Sequence, residues 1–414
     1  MMTGNSPVSF KTENTLKNSL ARAGVIATPH GFIHTPCFIP VGTKATLKSV
    51  KPSDFLALGI EVLLANTYHL FLQPGTDVIK NADGIQKFAN WSLPTMTDSG
   101  GFQIFSLGDA FGEGVSKFVS DTDTAVKHNL KQLNVYQKDL ASQHGRLCVI
   151  DDDGVTFTSH LDGSLHRFTA ERSIEIQHTI GADIIVAFDE CTSPTADYKY
   201  QKEALTRTHL WAKRSLNTHK LNYHALKKQG LYAVVQGGRF NDLRKESAQV
   251  LSDMDFSGYG IGGSFSKADL GDSLKTVNEI LPTNKPRHLF GIGEPEDIVA
   301  GVLMGCDTFD CVAPARLARN GTVYIHSGNM LNTACGKLRY PELIKINLRK
   351  HQYINDHNIL DPLSDEKGEV YKYTRAYLAH LFRANEMLGP QLATLHNIKT
   401  IIDFTKNLRQ QILN

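Results

Sequence analysis

Residues 306–321 place a carboxylate directly before a basic segment, in the order Cys-Asp-Thr-Phe-Asp-Cys-Val-Ala-Pro-Ala-Arg-Leu-Ala-Arg-Asn-Gly. Asp310 closes a short apolar run, and Arg316 and Arg319 follow it closely. Aspartate is a poor strand former, so at the end of such a run it is usually a helix N-cap or a functional group. These residue types indicate an acid that does chemistry beside a site that holds an anion.

Polar and glycine-rich clusters also follow several other apolar runs, and their side chains suit one kind of ligand. Aspartate accepts hydrogen bonds from ring N–H groups, glutamine both donates and accepts, and glycine N–H groups reach a carbonyl. Aromatic side chains add flat apolar walls. The clusters occupy residues 66–69, 97–103, 188–192, 235–238, 260–263, 290–293 and 309–311. Together they predict a pocket for a planar heterocycle.

Two acids at such strand ends also permit a double displacement. One carboxylate attacks an anomeric carbon to form a covalent intermediate, while the other carries the proton of the leaving and incoming groups. If the leaving group is a nucleobase, the intermediate is a ribosyl-enzyme.

The elements that must position these side chains are short strands separated by amphipathic helices. Strands are predicted at 36–42, 61–67, 94–98, 183–189, 231–236, 259–262, 287–293 and 307–312. Eight such strands, with acids and glycines at their carboxyl ends, predict an irregular (β/α)₈ barrel with insertions. We place the barrel domain at 1–325, with a helical or mobile insertion at about 109–154, and a mainly helical subdomain at 326–414.

Composition fits an intracellular protein. The chain has 414 residues and a formal charge of +2, so a nucleic acid must be held by local basic patches. Two such patches occur at 207–228 and 339–351, although solvated outer helix faces explain them at least as well. Six scattered cysteines without metal or disulfide spacing, and no apolar stretch long enough to span a bilayer, favour a cytoplasmic protein without a membrane partner.

Five motifs in collinear order resemble those of the tRNA-guanine transglycosylases, also called queuine tRNA-ribosyltransferases. They are TDSGGFQ, FDECT, VQGG, YGIGG and FDCVAPAR-x-ARNG. The resemblance spans most of the chain and implies an irregular (β/α)₈ barrel. It also implies exchange of the wobble guanine of GUN-anticodon tRNAs for a free 7-deazaguanine base, in queuosine modification.

The resemblance also implies roles for individual residues. Asp310 matches the nucleophile that attacks C1′, and Asp98 matches the general acid/base. The residues that match or neighbour the base-binding positions are Ser99, Phe102, Asp189, Cys191, Gln236, Gly262, Gly263 and Phe290. The residues that match the RNA-binding positions are Gly291, Gly293, Asp297, Arg316 and Arg319. For Cys191 and Phe290, ordinary core packing remains an alternative.

The chain departs from the family at its zinc subdomain. His396 is present, but the positions of the three cysteines carry Asp365, Lys367 and Val370. Lysine and valine cannot replace thiolates around a tetrahedral Zn²⁺. We therefore predict no zinc and no other cofactor, with the subdomain held by packing alone, although His396 with Asp365 leaves a weaker metal site open.

A second departure concerns the incoming base. Bacterial members of the family usually carry a glutamate that recognises the aminomethyl group of preQ1, and here that position is Ala268. The loss of this charge raises the hypothesis that the enzyme accepts a larger or different 7-substituent, such as queuine.

Family members are commonly homodimers, and Phe88, Tyr373, Tyr377 and His380 match aromatic positions at their interface. A homodimer is therefore expected. The insertions at 109–154 and around 341–359 contact tRNA or a partner, or are surface decoration.

Three alternatives to an anticodon enzyme remain open. A two-carboxylate glycoside hydrolase would share the chemistry but would usually line its groove with tryptophan, and this chain has only 2. A non-catalytic RNA-binding subunit would need neither Asp98 nor Asp310. A related base exchanger that acts at another nucleic-acid site is the third.

Overall fold

The computed structural model describes residues 6–109, 118–119, 148–263, 265–266, 270–333, 338–364 and 372–414. Its centre is one sheet of eight strands, in chain order β1 Cys37–Pro40, β2 Leu63–Ala65, β3 Thr95–Thr97, β4 Ile184–Val186, β5 Gly230–Val235, β6 Gly258–Ile261, β7 Arg287–Leu289 and β8 Thr308–Cys311. The hydrogen-bonded order is β1-β8-β7-β6-β5-β4-β3-β2. A parallel bridge between Val41 and Leu64 joins the two ends.

This sheet confirms the predicted fold class. The strand pairs are parallel, as in the registers of β4 with β5 and of β8 with β1. Strands β3, β4, β5 and β6 are buried along their whole length, as expected for a parallel sheet covered by helices on its outer face. All eight strands lie within or overlap the runs predicted from sequence, which is the count a (β/α)₈ barrel requires.

Helices fill the segments between and after the strands. They are Phe55–Leu58, Thr67–Leu72, Thr76–Asn81, Ile85–Ala89, Gly101–Asp109, Ala170–Ile180, Tyr198–Leu221, Tyr223–Leu226, Asn241–Ser252, Leu270–Asn278, Pro295–Leu303, Ala313–Arg319, Arg375–Arg383 and Leu388–Leu413. Single turns of 3₁₀ helix lie at Pro52–Asp54 and His351–Tyr353. Of the described helices, none is long and apolar enough to cross a bilayer.

Within the described residues, four smaller sheets lie outside the barrel strands, and the sequence did not predict them. Their strands are Ser9–Thr15, Arg22–Thr28 and Gly31–Thr35; Cys148–Ile150, Gly154–Thr158 and Leu165–Thr169; Phe118–Val119 with Phe265–Ser266; and Thr322–Asn332 with Arg339–Asn347.

The end of the predicted insertion at 109–154 is therefore extended rather than helical. Its strands continue past 154, where Val155, Phe157 and Phe168 are buried in period two. That period is set by a sheet with one covered face. Most of the insertion, 110–117 and 120–147, lies outside the described residues, so its role stays a prediction.

The chain forms two compact units. The first comprises Met1–Val8, Asn66–Phe88 and Met96–Lys285, and the second comprises Ser9–Ala65, Ala89–Thr95 and Pro286–Asn414. The domain boundary at 325 stays a prediction.

The segment 326–414 contains the two helices Arg375–Arg383 and Leu388–Leu413, as expected, but it begins in the antiparallel hairpin of Thr322–Asn332 with Arg339–Asn347. Buried apolar side chains from both kinds of element form one cluster, which includes Val323, Ile346, Leu378, Phe382 and Leu392. Apolar packing, the interaction predicted to hold this segment, is not the only one present. The buried carboxylate of Asp361 also lies 2.7 Å from Nδ1 of His326.

Candidate active site

Asp98 follows β3 directly and is held by three donors from its own unit. Its Oδ2 accepts from Nδ2 of Asn66 and Nε2 of Gln103, both at 2.7 Å. Its Oδ1 accepts from the backbone N–H of Thr67 at 2.8 Å. Asn66 is the N-cap residue of helix Thr67–Leu72, and Gln103 lies in helix Gly101–Asp109. Hydrogen bonds of this kind fix the direction of the carboxyl group.

Asp189 follows β4 and is joined to two further predicted residues. Ser99 donates from Oγ to Oδ1 at 2.8 Å, and Gln236 donates from Nε2 to Oδ2 at 2.7 Å. All three side chains are buried, with exposed fractions of 4% for Ser99, 7% for Asp189 and 4% for Gln236. The structure therefore brings three of the predicted base-binding residues into one hydrogen-bonded cluster.

Gln236 has an acceptor that points at the glycine turn after β6. Its Oε1 is buried and, within the described part of the chain, has no hydrogen-bond partner. A Cβ at Gly263 would lie 3.1 Å from this oxygen, and a Cβ at Gly262 would lie 2.6 Å from Nε2 of Gln236. Buried polar atoms are normally satisfied, so this acceptor is suited to a donor on a ligand. A bare glycine backbone keeps that space open.

Arg244, which the sequence analysis did not select, supports the same turn. This fully buried side chain of helix Asn241–Ser252 donates to the carbonyl of Gly238 at 2.6 Å. It also donates to the carbonyl of Gly262 at 3.2 Å and 3.3 Å. Burial lowers the pKa of Arg244 to about 9. The guanidinium ties the loops after β5 and β6 together.

Two other predicted base-binding residues belong to the same unit. Phe102 lies in the first turn of helix Gly101–Asp109 and is 37% exposed, which suits a wall that a ligand covers. Cys191 is partly exposed and close enough to Arg244 to interact with its charge. Their contacts with a base stay predictions.

Asp310 lies in β8 of the second unit, with two donors on one oxygen. The backbone N–H of Gly291 donates to Oδ1 at 2.8 Å, and Nε2 of His288 lies 3.1 Å from the same atom. The ring of Phe290 meets that of His288 edge-on, with centroids 4.4 Å apart. The loop after β7 thus carries one predicted aromatic wall, Phe290, and a backbone donor to the predicted nucleophile.

The three predicted RNA-binding residues after β7 have clear local functions in the fold. Gly291 has a φ of +70° and uses its N–H on Asp310. A Cβ at Gly293 would lie 2.4 Å from Cβ of Cys311, so this position requires glycine. Asp297 is 8% exposed in the first turn of helix Pro295–Leu303, where a carboxylate complements the helix dipole. Their contact with RNA stays a prediction.

Arg316 and Arg319 lie on helix Ala313–Arg319, one turn apart. Arg316 is exposed, and Arg319 is partly buried. Burial, with the repulsion from Arg316, lowers the pKa of Arg319. Like charges one turn apart destabilise a helix, and a phosphate group between them would remove that cost.

The donor set near His396 does not fit the family's zinc. His396 is fully buried, and its Nε2 lies 2.5 Å from the carbonyl oxygen of Tyr324. In the described residues, no group of three His, Cys, Asp or Glu side chains is arranged to hold a metal ion. Asp365, Lys367 and Val370 lie outside the described residues, and two of them carry no metal-binding side chain at neutral pH.

Sequence reasoning did not select four residues that the structure places in these clusters: Asn66, Gln103, Arg244 and His288. Asn66 and Gln103 lie in the polar clusters at strand ends and were visible there. His288 had one signal in the sequence, because it is a histidine inside a short, buried strand. Arg244 had none, because an arginine on an amphipathic helix usually faces solvent.

The fold and these clusters define a class of protein. It is a (β/α)₈-barrel enzyme with carboxylates at the carboxyl ends of its strands and a buried cluster in which an amide is hydrogen-bonded to a carboxylate. Comparison with known proteins narrows this class to one family.

The family model described as queuine tRNA-ribosyltransferase matches residues 17–143 and 140–414. A queuine tRNA-ribosyltransferase of Thermoanaerobacter pseudethanolicus is 42% identical over 95% of this chain and 90% of its own length. One of Desulforamulus reducens is 40% identical over 98% and 95%, and one of Streptococcus suis is 37% identical over 99% and 93%. The chain belongs to the queuine tRNA-ribosyltransferase family, which confirms the resemblance.

Proposed function

We propose that this protein is a tRNA-guanine transglycosylase, a pentosyltransferase that replaces the wobble guanine of GUN-anticodon tRNAs with a 7-deazaguanine base in queuosine modification. Its membership of the family supports this reaction and tRNA as the substrate. The exchange takes place at the glycosidic bond, so the RNA chain stays intact.

The observation that carries the proposal is the buried cluster of Ser99, Asp189 and Gln236. A guanine edge presents ring N–H and amino donors next to a carbonyl acceptor. Asp189 accepts from the donors, Oε1 of Gln236 accepts another N–H, and backbone N–H groups at the Gly262–Gly263 turn bind the carbonyl. A sugar ring lacks this planar pattern, so the cluster favours a base exchanger over a glycoside hydrolase.

The reaction then proceeds in two displacements. Asp310 attacks C1′ of the nucleotide, a carboxylate–carbon bond forms, and the C1′–N9 bond breaks with its electron pair on guanine. Guanine leaves after taking a proton from Asp98. Asp98 next removes the N9 proton of the incoming base, N9 attacks C1′, and the bond to Asp310 breaks. Arg316 and Arg319 bind phosphates of the anticodon loop and position the nucleotide.

The identity of the incoming base depends on a position outside the described residues, Ala268. Without a carboxylate there, an aminomethyl group has no counter-charge at this position. We propose that the enzyme accepts a larger 7-substituent such as queuine at least as well as preQ1. Competition between the two free bases tests this, and a clear preference for preQ1 would contradict it.

We further propose that the enzyme works in the cytoplasm, without zinc or another cofactor, as a homodimer. The aromatic residues at the predicted interface support the dimer. Tyr377 is 40% exposed and stacks on Tyr373, with ring centroids 5.4 Å apart. The ring centroid of His380 lies 6.5 Å from that of Tyr377. Exposed aromatic rings of this kind are suitable interface anchors. Sedimentation of the wild type and of Tyr377→Ala tests it.

The central experiment measures incorporation of labelled guanine into tRNA by the wild type and by Asp310→Asn. We expect incorporation by the wild type and an RNA–protein adduct on a denaturing gel, with both absent in the variant. Asparagine keeps the shape of Asp310 but is not a nucleophile. Normal exchange by Asp310→Asn would contradict the mechanism. No exchange by the wild type, with intact tRNA binding, would favour the RNA-binding subunit.

A further inference from the structure

His288 is a buried histidine whose two ring nitrogens both meet side chains on the next strand. It lies in the middle of β7 and is fully buried. Its Nε2 is 3.1 Å from Oδ1 of Asp310, and its Nδ1 is 2.9 Å from Oγ1 of Thr308. The imidazole therefore links the predicted nucleophile to a hydroxyl behind it.

The strand register produces this arrangement. Strands β7 and β8 are parallel, with His288 opposite Thr308 and Leu289 opposite Phe309. Thr308 and Asp310 are two residues apart on β8, so their side chains project from the same face. An imidazole is long enough to reach both, whereas a shorter side chain at position 288 would reach Thr308 alone.

The hydrogen-bond chemistry selects one arrangement of the proton. A neutral imidazole has one N–H donor and one acceptor nitrogen. A carboxylate only accepts, so Nε2 of His288 must carry the proton that faces Asp310. Nδ1 is then the acceptor, and it is satisfied by the hydroxyl hydrogen of Thr308. The carboxylate of Asp310 thus fixes the tautomer, and the N–H of Gly291 adds a second donor to the same carboxylate oxygen.

The surroundings of the ring also fix its plane. Phe290 packs edge-on against His288, with an angle of 79° between the rings. His396, another buried histidine, places Nε2 against the backbone carbonyl of Tyr324. His288 instead directs a donor at the one carboxylate in β8.

We propose that His288 is a positioning residue for Asp310, donating from Nε2 to hold the carboxylate in its attacking orientation, with the hydroxyl of Thr308 satisfying Nδ1. The proposal rests on the proposed function, in which Asp310 attacks C1′. When the bond between Asp310 and C1′ breaks in the second displacement, the negative charge returns to the carboxylate and the same donor stabilises it.

Three substitutions at position 288 separate this role from ordinary packing. His288→Gln can keep an amide N–H near the place of Nε2, and His288→Asn puts its amide near Nδ1, where it reaches Thr308 only. His288→Leu keeps apolar volume but removes every donor. A hydrogen bond to a charged group is lost at a cost of roughly 10- to 100-fold in rate. We expect that loss in kcat of guanine exchange for the Asn and Leu variants.

The Gln variant should retain kcat within about fivefold of the wild type, because a single neutral donor is preserved. KM for tRNA should stay within about twofold in all three variants, because His288 does not bind RNA. Formation of the RNA–protein adduct should slow in parallel with kcat. Thr308→Val, which leaves His288 and Asp310 in place, should reduce kcat by only a few-fold.

Circular dichroism and thermal unfolding identify variants that do not fold. If His288→Leu does not fold, the difference in kcat between His288→Gln and His288→Asn tests the proposal. The proposal would be overturned if folded His288→Leu kept the wild-type kcat, or if kcat fell equally in the Gln and Asn variants. The proposed function would stand in either case. A wild type that incorporates no guanine would overturn both, because Asp310 would then have no reaction to serve.

Discussion

Asp189 and Glu190 are neighbours in the chain, but their carboxylates lie in opposite environments. Asp189 accepts from two neutral groups, Ser99 and Gln236. Glu190 is paired with Arg207 at 2.7 Å and also accepts from the hydroxyl of Tyr200 at 2.7 Å. In the proposed function the first carboxylate accepts hydrogen bonds from the base, whereas the second neutralises a cation within the fold.

This difference predicts that two similar substitutions separate activity from stability. Asp189→Asn replaces an acceptor with a donor at the base edge, so kcat/KM for guanine should fall by roughly 100-fold or more. Glu190→Gln leaves Arg207 poorly compensated and should lower the free energy of unfolding by about 2–4 kcal/mol. Guanine exchange and urea denaturation of both variants measure this.

Each of these variants is the control for the other. Asp189→Asn should unfold within about 1 kcal/mol of the wild type, and folded Glu190→Gln should keep most of its exchange activity. The reverse pattern would show that the roles of the two acids are exchanged.

Gly263 offers a test of the open space at the turn after β6. Its φ is +90°, and a Cβ there would lie 2.9 Å from Nη2 of Arg244. Gly263→Ala should therefore cost about 1–3 kcal/mol of stability and raise KM for the free base. Guanine-exchange kinetics and denaturation measure both effects.

The matched control is Gly271→Ala. Gly271 lies in helix Leu270–Asn278, and a Cβ there would meet nothing within 4 Å. Alanine should stabilise this position by about 0.5–1 kcal/mol and leave KM unchanged. Equal effects of the two substitutions on KM would count against a base-binding role for the turn.

A chain of hydrogen bonds through two histidines predicts acid sensitivity. Nε2 of His178 lies 2.9 Å from Nδ1 of His219, and Nε2 of His219 lies 3.1 Å from the carbonyl of Gln229. Only one of the two facing ring nitrogens can carry a proton, so the chain breaks when both rings are protonated. Burial lowers the pKa of His178 and of His219 to about 4, with repulsion between the rings contributing at His178.

In the unfolded chain each histidine has a pKa near 6.5, so between about pH 6.5 and 4 the unfolded state binds more protons than the native state. Stability is fully present above this window and falls as the pH decreases through it, by at most about 1.4 kcal/mol per pH unit for each histidine. Urea denaturation at several pH values measures the slope. His178→Gln should make the slope shallower, and an unchanged slope would contradict the assignment.

Arg316 should contribute to tRNA binding through phosphate. Arg316→Gln should weaken tRNA binding at all sequences alike and reduce the slope of log Kd against log salt concentration by about 0.7 to 0.9. Arg172→Gln makes the same charge change on helix Ala170–Ile180, where Arg172 is paired with Glu175, and should change the slope less. Equal slopes for Arg316→Gln and the wild type would remove Arg316 from the RNA site.

Independence from zinc predicts that chelation has no effect on stability. Prolonged incubation with EDTA should leave the midpoint of thermal unfolding unchanged, because packing and the pair of His326 with Asp361 stabilise the segment around His396. Elemental analysis of the purified protein should find no stoichiometric zinc. Stoichiometric zinc whose removal lowers the midpoint would contradict the proposal.

The sequence by itself determined the barrel and most of the site. Parallel strands buried on both faces are continuous apolar runs, so the eight strands could be predicted from the sequence. The carboxyl ends of barrel strands carry functional groups, so the clusters around Asp98, Asp189 and Asp310 could be predicted as well. The antiparallel hairpin at Thr322–Asn332 was not, because its exposed residues break the alternation that identifies a strand.

The tertiary structure alone decided which side chains meet. Asp189 and Glu190 look equivalent in the sequence. Only the packing of helix Tyr198–Leu221 places Arg207 beside Glu190, where the two form an ion pair. His288 meets Asp310 because of the register between β7 and β8, which depends on pairing between segments that lie far apart in the chain. Hydrogen-bond partners are set by distance in space, and a sequence pattern records only the order of residues along the chain.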